Sequence, residues 1–307
     1  MPSLAAARAA NAAFKFTSSN PVRAVFVGGT AGIGHGMALA LARATKGNAQ
    51  IVIVGRNQAA AKDLIASFPS PANTLSTFVP CDVTLMRNVH AAAESIKSQL
   101  ATINYLVISA GFFTLSGRNE TEEGIDRKLA AHYYARWAFI NDLLPQLKAA
   151  AEKGEEAKVM SVFSAGHGGP IDVNDLGLKR TYSLKNAAYQ GITYNDLALE
   201  EFAARNPNIS FVHTYPGTVR TSIVKNSDSY LIKALTYLFY PIAYLRTVSE
   251  EECADWMTYA LLNAKPGFWR FNNHGDDIGR LNYDGTEEQR KKLWEHTIKE
   301  TKSQPTC

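Results

Sequence analysis

The sequence predicts an α/β fold: a doubly wound parallel sheet flanked by helices in a single domain. Three observations predict it. Short apolar, β-branched runs recur along the chain, amphipathic stretches fall between them, and a glycine-rich turn joins the first run to the first stretch.

The apolar runs fall at residues 23–27, 49–54, 75–80, 105–109, 158–163, 209–214 and 267–271. Each is nearly continuous rather than alternating, as expected of strands covered on both faces. Residues 34–45, 58–67, 86–100, 123–151, 186–205 and 250–262 carry apolar residues at three- and four-residue spacing, the pattern of helices with one buried face. Strand–helix alternation requires right-handed crossovers, and ligands of such sheets bind beyond the carboxyl ends of the strands.

Residues 21–307 are expected to form the domain, and residues 1–20 an N-terminal extension packed on it as a short helix. The extension is rich in Ala and Ser, holds Arg8 and Lys15 and lacks acids, a weak likeness to a transit peptide. No apolar run reaches the about 18–20 residues of a membrane-crossing helix. The three cysteines, Cys81, Cys253 and Cys307, are too few and unevenly numbered for a disulfide framework. They fit a reducing, cytoplasmic setting. The seven histidines form no metal-ligand spacing, so no metal is expected. The net charge of +4 comes without a dense basic stripe, and no nucleic-acid partner is expected.

The first run ends in Gly28-Gly29-Thr30-Ala31-Gly32-Ile33-Gly34. Glycine lets such a turn take dihedrals closed to other residues and lets backbone approach a diphosphate. The N–H groups opening the next helix favour the anion. A strand before, a helix after and a second strand about twenty residues on complete the context of a Rossmann-like dinucleotide site, with Gly28, Thr30, Gly32, Ile33 and Gly34 as its turn. The second run ends at Arg56-Asn57, where an acid would bind the ribose hydroxyls of NAD. Arg56 instead suits the 2′-phosphate of NADP(H), the expected cofactor.

With these residues in hand, the chain resembles the short-chain dehydrogenase/reductase family, and most closely its retinol-dehydrogenase-like branch. The glycine turn is similar to the family's TGxxxGIG motif, with Val27 in place of the threonine. Cys81-Asp82-Val83-Thr84 resembles the segment whose acid holds the adenine amino group. Ser109-Ala110-Gly111 resembles the NNAG turn without its asparagines, and Pro216-Gly217-Thr218-Val219-Arg220-Thr221 resembles PGxVxT, which touches the nicotinamide carboxamide. The resemblance thus implies cofactor contacts from Asn57, Asp82, Val83, Ala110, Gly111, Pro216, Gly217, Val219 and Thr221. Ser164-Ala165-Gly166-His167, the insert at residues 171–176 and the stretch 289–299 resemble the branch's serine strand, its insert and its C-terminal helix.

The family's catalytic set comprises a serine that polarises the carbonyl and a tyrosine that supplies the proton. A lysine one turn later lowers the tyrosine pKa, and an asparagine serves a water relay. The resemblance puts Ser164 and Tyr189 at the first two places, Thr193 at the lysine place and His132 at the asparagine place. A register slip of one would instead align Ala188 and Ile192. Reduction uses a neutral phenol and survives loss of the lysine better than oxidation, which needs a base. Thr193 is expected to hydrogen-bond the ribose and His132 either to relay a proton or to be a core histidine. Lys185, one turn before Tyr189, is either a substitute cation or a surface residue. Tyr182 with Lys185 forms a rival pair, disfavoured by its distance from Pro216.

Residues 222–246 are apolar and aromatic. As a substrate lid they imply a hydrophobic small molecule, such as a lipid, terpenoid or polyketide. Packing on the core or on a second subunit of a homo-oligomer, and a patch dipping into lipid, stand as alternatives. Two functions follow: an NADP-dependent reductase of a hydrophobic carbonyl compound, or a cofactor-binding protein without redox activity, used for rearrangement or binding.

Overall fold

Seven strands lie in one parallel sheet in the order β3-β2-β1-β4-β5-β6-β7 in a computed structural model, which describes residues 1–17, 20–220, 247–282 and 285–303. The strands are β1 (Val22–Val27), β2 (Ala49–Gly55), β3 (Thr77–Pro80), β4 (Tyr105–Ile108), β5 (Lys158–Val162), β6 (Ser210–Thr214) and β7 (Gly267–Phe271). Every pairing is parallel. They coincide with the expected apolar runs to within two residues. β1 sits between β2 and β4, with Val27 in register with both Val54 and Ile108. The winding direction reverses there, so the crevice for a ligand opens above the end of β1.

One helical layer holds α2 (Gly32–Ala44), α3 (Gln58–Ala66) and α9 (Glu250–Asn263). The other holds α5 (Met86–Gln99), α7 (Ala135–Glu152), α8 (Leu184–Arg205) and α10 (Glu287–Thr301). Two short pieces, α4 (Ala72–Leu75) and α6 (Arg127–Leu129), complete the helices that follow α1 (Leu4–Ala13). Helix α1 starts at Ser3, whose hydroxyl accepts from the Ala6 amide, and lies on α9. There Arg8 Nε is 2.6 Å from Asp255 Oδ2, and Asn11 Nδ2 donates to the Asp255 carbonyl at 2.9 Å.

α9 and α10 each begin with a capping box, Ser249 with Glu252 and Thr286 with Gln289, which satisfies two otherwise orphaned N–H groups apiece. Trp294 of α10 closes the second layer. Its ring meets Trp137 at 5.0 Å and Phe202 at 4.7 Å, with the Arg205 guanidinium 4.5 Å from its centre.

The long helix expected over 123–151 is interrupted. Residues 123–126 are a turn, and Asp126 caps α6 through the amides of Lys128 and Leu129. Ala130–Tyr134 then forms one π turn before α7. Among the described residues no helix is long and apolar enough to cross a membrane, and no cluster of three His, Cys, Asp or Glu side chains is arranged to hold a metal. Cys81 and Cys253 are free and buried. The expected lid at 222–246 and Thr221 lie outside the described residues.

Candidate active site

A groove of about 890 Å³ opens at the switch point. Gly28, Thr30, Gly32 and Ile33 line it from the first turn, Arg56 and Asn57 from the end of β2, Asp82 and Val83 after β3, and Ala110 and Gly111 after β4. The structure thus brings most of the expected cofactor contacts to one cleft. Gly34 stands behind it, buried.

The glycines are needed sterically. Gly28 has φ +88° and Gly32 φ +64°, in the left-handed region. A Cβ on Gly28 would lie 2.5 Å from the Ala110 amide nitrogen, and one on Gly34 would run into Ser109 Oγ. The turns after β1 and β4 therefore interlock, backbone against backbone. Ala31, at the N-cap of α2, provides no side-chain acceptor, so the opening amides of that helix keep their capacity for an anion. Asp82 Oδ1 accepts from the Thr84 amide at 3.0 Å and the Thr84 hydroxyl at 2.8 Å. Asn57 caps α3 by accepting from the Ala60 amide at 3.1 Å. Arg56 is exposed and forms no ion pair among the described residues. An uncapped helix start, a glycine cradle and an anchored acid fit a dinucleotide.

The expected catalytic residues Ser164, Tyr189, Thr193 and His132 do not line this groove; Ser164, Thr193 and Tyr189 lie beyond β5 and His132 in the π turn before α7. Ser164 follows the strand; its hydroxyl has no hydrogen-bond partner among the described residues, and its amide faces His213 Nε2 at 3.4 Å. Tyr189, early in α8, is 43% exposed and lies beside Gly169. The Lys185 ammonium sits 5.7 Å from its ring centre. Tyr182, of the rival pair, lines the groove, with its hydroxyl buried and lacking a hydrogen-bond partner among the described residues.

Two sequence expectations do not fit their surroundings. Thr193 is buried; its hydroxyl donates to the Gly169 carbonyl at 2.7 Å and accepts from the Gly169 amide at 3.0 Å. It clamps the loop that follows Ser164, and that hydroxyl is spent on backbone rather than on a ribose. His132 lies in the π turn between the rings of Phe112 and Phe163, at 5.8 and 4.9 Å. Burial, with Arg136 and Lys128 nearby, pushes its pKa down to about 3. Its Nε2 accepts from the Phe112 amide at 3.3 Å. A ring held neutral there is no relay titrating near neutrality, and the core-histidine alternative is the one its environment supports.

Sequence reading missed Arg136 altogether. Its guanidinium is buried and donates to the carbonyls of Ile108, Ala110 and Val162 and to the Ser161 hydroxyl, at 2.7–3.0 Å. It joins the ends of β4 and β5, the floor of the site. Burial lowers its pKa to about 9, which leaves it charged at neutral pH. Asn195 was missed as well. It donates to the His132 carbonyl at 2.8 Å, tying α8 to the π turn, and accepts from the Ser161 hydroxyl at 2.9 Å. After β6, Gly217 has φ +76° and Val219 bridges Val248, while the Tyr215 ring packs against His167 at 4.4 Å, tilted by 51°.

The fold and groove define a dinucleotide-binding α/β protein with a side-chain site at the carboxyl ends of β4, β5 and β6. Residues 23–230 match the family model for short chain dehydrogenases. An oxidoreductase of Emericella nidulans is 38% identical over 78% of this chain and 71% of its own. A second, of Emericella variicolor, is 35% identical over 86% of this chain and 76% of its own. The polyprenol dehydrogenase of Mus musculus is 28% identical over 77% of this chain and 70% of its own. In fold, a putative uncharacterized protein from Mycobacterium paratuberculosis superposes with TM-score 0.70 at 18% identity, covering 97% of this chain and 98% of the other. An NADPH-bound carbonyl reductase from chicken fatty liver gives 0.58 at 20% identity, covering 85% and 99%. The chain belongs to the short-chain dehydrogenase/reductase family and is an oxidoreductase.

Proposed function

We propose that this oxidoreductase uses NADP(H) to reduce a carbonyl group on a hydrophobic small molecule. The observation that carries the reading is the combination of an exposed Arg56 at the end of β2, without an ion pair among the described residues, and a Ser164 hydroxyl beyond β5 without a hydrogen-bond partner among them. The first suits a 2′-phosphate and the second a substrate oxygen.

The bound nicotinamide supplies the hydride. The chain's own residues do the rest. The α2 N-terminus and the glycine cradle hold the diphosphate, and Asp82 accepts from the adenine amino group. Ser164 donates a hydrogen bond to the carbonyl oxygen, which favours charge building there in the transition state. Tyr189 gives its phenolic proton to that oxygen. Lys185, over the Tyr189 ring, is the nearby cation in a site where Thr193 faces backbone. Reduction is the direction this arrangement serves, because it begins from a neutral phenol.

Support for a hydrophobic substrate comes from the apolar composition of residues 222–246, from Phe113 and Leu115, large apolar side chains left exposed after β4, and from the name of the mouse relative, a polyprenol dehydrogenase. A lipid, terpenoid or polyketide fits that character.

The test is purified protein with NADPH and a panel of hydrophobic ketones and aldehydes, followed by loss of nicotinamide absorbance. Turnover that disappears in Tyr189→Phe supports the proposal. Tight NADPH binding without turnover on any member overturns it in favour of a role without redox chemistry.

A further inference from the structure

Two strands expected to be apolar on both faces each carry an ionisable residue, His213 in β6 and Arg270 in β7. Both meet Asp196 of α8. Arg270 Nη2 lies 3.0 Å from Asp196 Oδ2 and Nε 3.1 Å from Oδ1, while His213 Nδ1 lies 2.6 Å from Oδ1. None of the three side chains is more than 2% exposed. Buried ion pairs repay their desolvation poorly, and apolar residues of similar volume serve cohesion as well or better. The cluster therefore invites a task beyond cohesion.

Its partners assign its hydrogens. A carboxylate only accepts, so His213 Nδ1 carries the hydrogen. The Ser164 amide only donates, so Nε2, 3.4 Å away, presents its lone pair. The chain of contacts that starts at Asp196 thus ends on the backbone of Ser164. Arg270 reaches the same turn by another route. Its Nη1 donates to the carbonyls of Gly279 and Leu281, both at 3.0 Å. That segment returns over the site, where Asn282 Nδ2 donates to the Gly166 carbonyl at 2.9 Å. Ile278 Cδ1 would lie 2.8 Å from a Cβ on Gly166, whose φ is +83°.

We propose that Asp196, His213 and Arg270 are positioning residues that hold the turn at 164–166 from two sides. His213 holds the Ser164 amide, and Arg270 holds the strap at 278–282 that clasps Gly166. The inference rests on the proposed carbonyl reduction for its kinetic readout alone.

The first measurement needs no activity. Long-range proton–nitrogen spectra of the full chain with labelled histidine should show His213 with hydrogen on Nδ1 and none on Nε2. The reverse tautomer, or a mixture of the two, overturns the proposal. The second is kinetic. Asp196→Asn is expected to lower kcat by about a hundredfold, the scale of a 1 Å misplacement, with NADPH affinity nearly unchanged. An unaltered kcat, or kcat and affinity falling in parallel, overturns it. His213→Gln, whose side-chain oxygen reaches the Nε2 position, should keep more of kcat than His213→Leu; equal losses count against the proposal. If these variants do not fold, the wild-type tautomer decides. If wild type reduces no carbonyl, the proposed function fails by itself. The tautomer, with hydrogen exchange of the Ser164 amide faster in His213→Leu than in wild type, then decides the positioning role.

Discussion

In the groove at the switch point the protein offers backbone: amides at the start of α2, and glycines whose missing side chains let the turns after β1 and β4 interlock. Beyond β5, outside that lining, it offers side chains from several elements, Ser164 after the strand and Tyr189 on α8, with Arg136 joining the ends of β4 and β5. A backbone site tolerates almost no change at a few positions and is indifferent elsewhere. A side-chain site depends on tertiary contacts of single residues, as the engaged Thr193 hydroxyl and the half-buried His132 ring illustrate.

The sharpest way to separate the two regions is Tyr189→Phe. It should cut kcat by about 10²- to 10⁴-fold, the range for loss of a general acid, with NADPH affinity by calorimetry unchanged. Loss of affinity instead would merge the two regions into one. The converse variant, Gly28→Val, should cost about a hundredfold in NADPH affinity, since a strained φ and a contact with the Ala110 backbone add about 3 kcal/mol. Circular dichroism should show the fold retained. Arg56→Asp removes a charge-assisted bond and adds repulsion. It should weaken NADPH by about tenfold while leaving NADH equal or better, consistent with about 1.5 kcal/mol for one such bond. Equal NADPH affinity in variant and wild type would remove Arg56 from the site.

A separate effect concerns acid stability rather than binding or turnover. His132 is driven from 6.5 to about 3 in the folded protein. Below 6.5 the unfolded chain takes up a proton that the folded one refuses, so stability falls with falling pH by up to about 1.4 kcal/mol per unit until about 3 is reached. His132→Phe should show a shallower loss of urea midpoint between pH 6.5 and 4 than wild type. Parallel slopes would mean that the ring is not held neutral.

The same contrast explains what could be read in the sequence. All seven strands were legible, because strands covered on both faces write themselves as apolar runs, and the tight turn after β1 was legible because sterics leave only glycine at its key positions. The surroundings of the side chains beyond β5 were not legible. Nothing local predicts that the loop after Ser164 folds back onto Thr193 and occupies its hydroxyl with Gly169. Nor does helical spacing reveal the π turn that carries His132. His213 and Arg270 did leave a trace. Each is an ionisable residue inside a run otherwise fit for a core, a mismatch that asks for a buried partner, but the partner on α8 is set by tertiary packing alone.

Trp294 has a consequence for synthesis. Its ring packs edge-on against both Trp137 and Phe202, and Thr297 of the same helix bonds Tyr133, 164 positions earlier. That layer stays open to water until residues near 300 have left the ribosome. A nascent chain carrying a finished phosphate turn thus still exposes aromatic surface, and holdase chaperones have their longest opportunity in that interval.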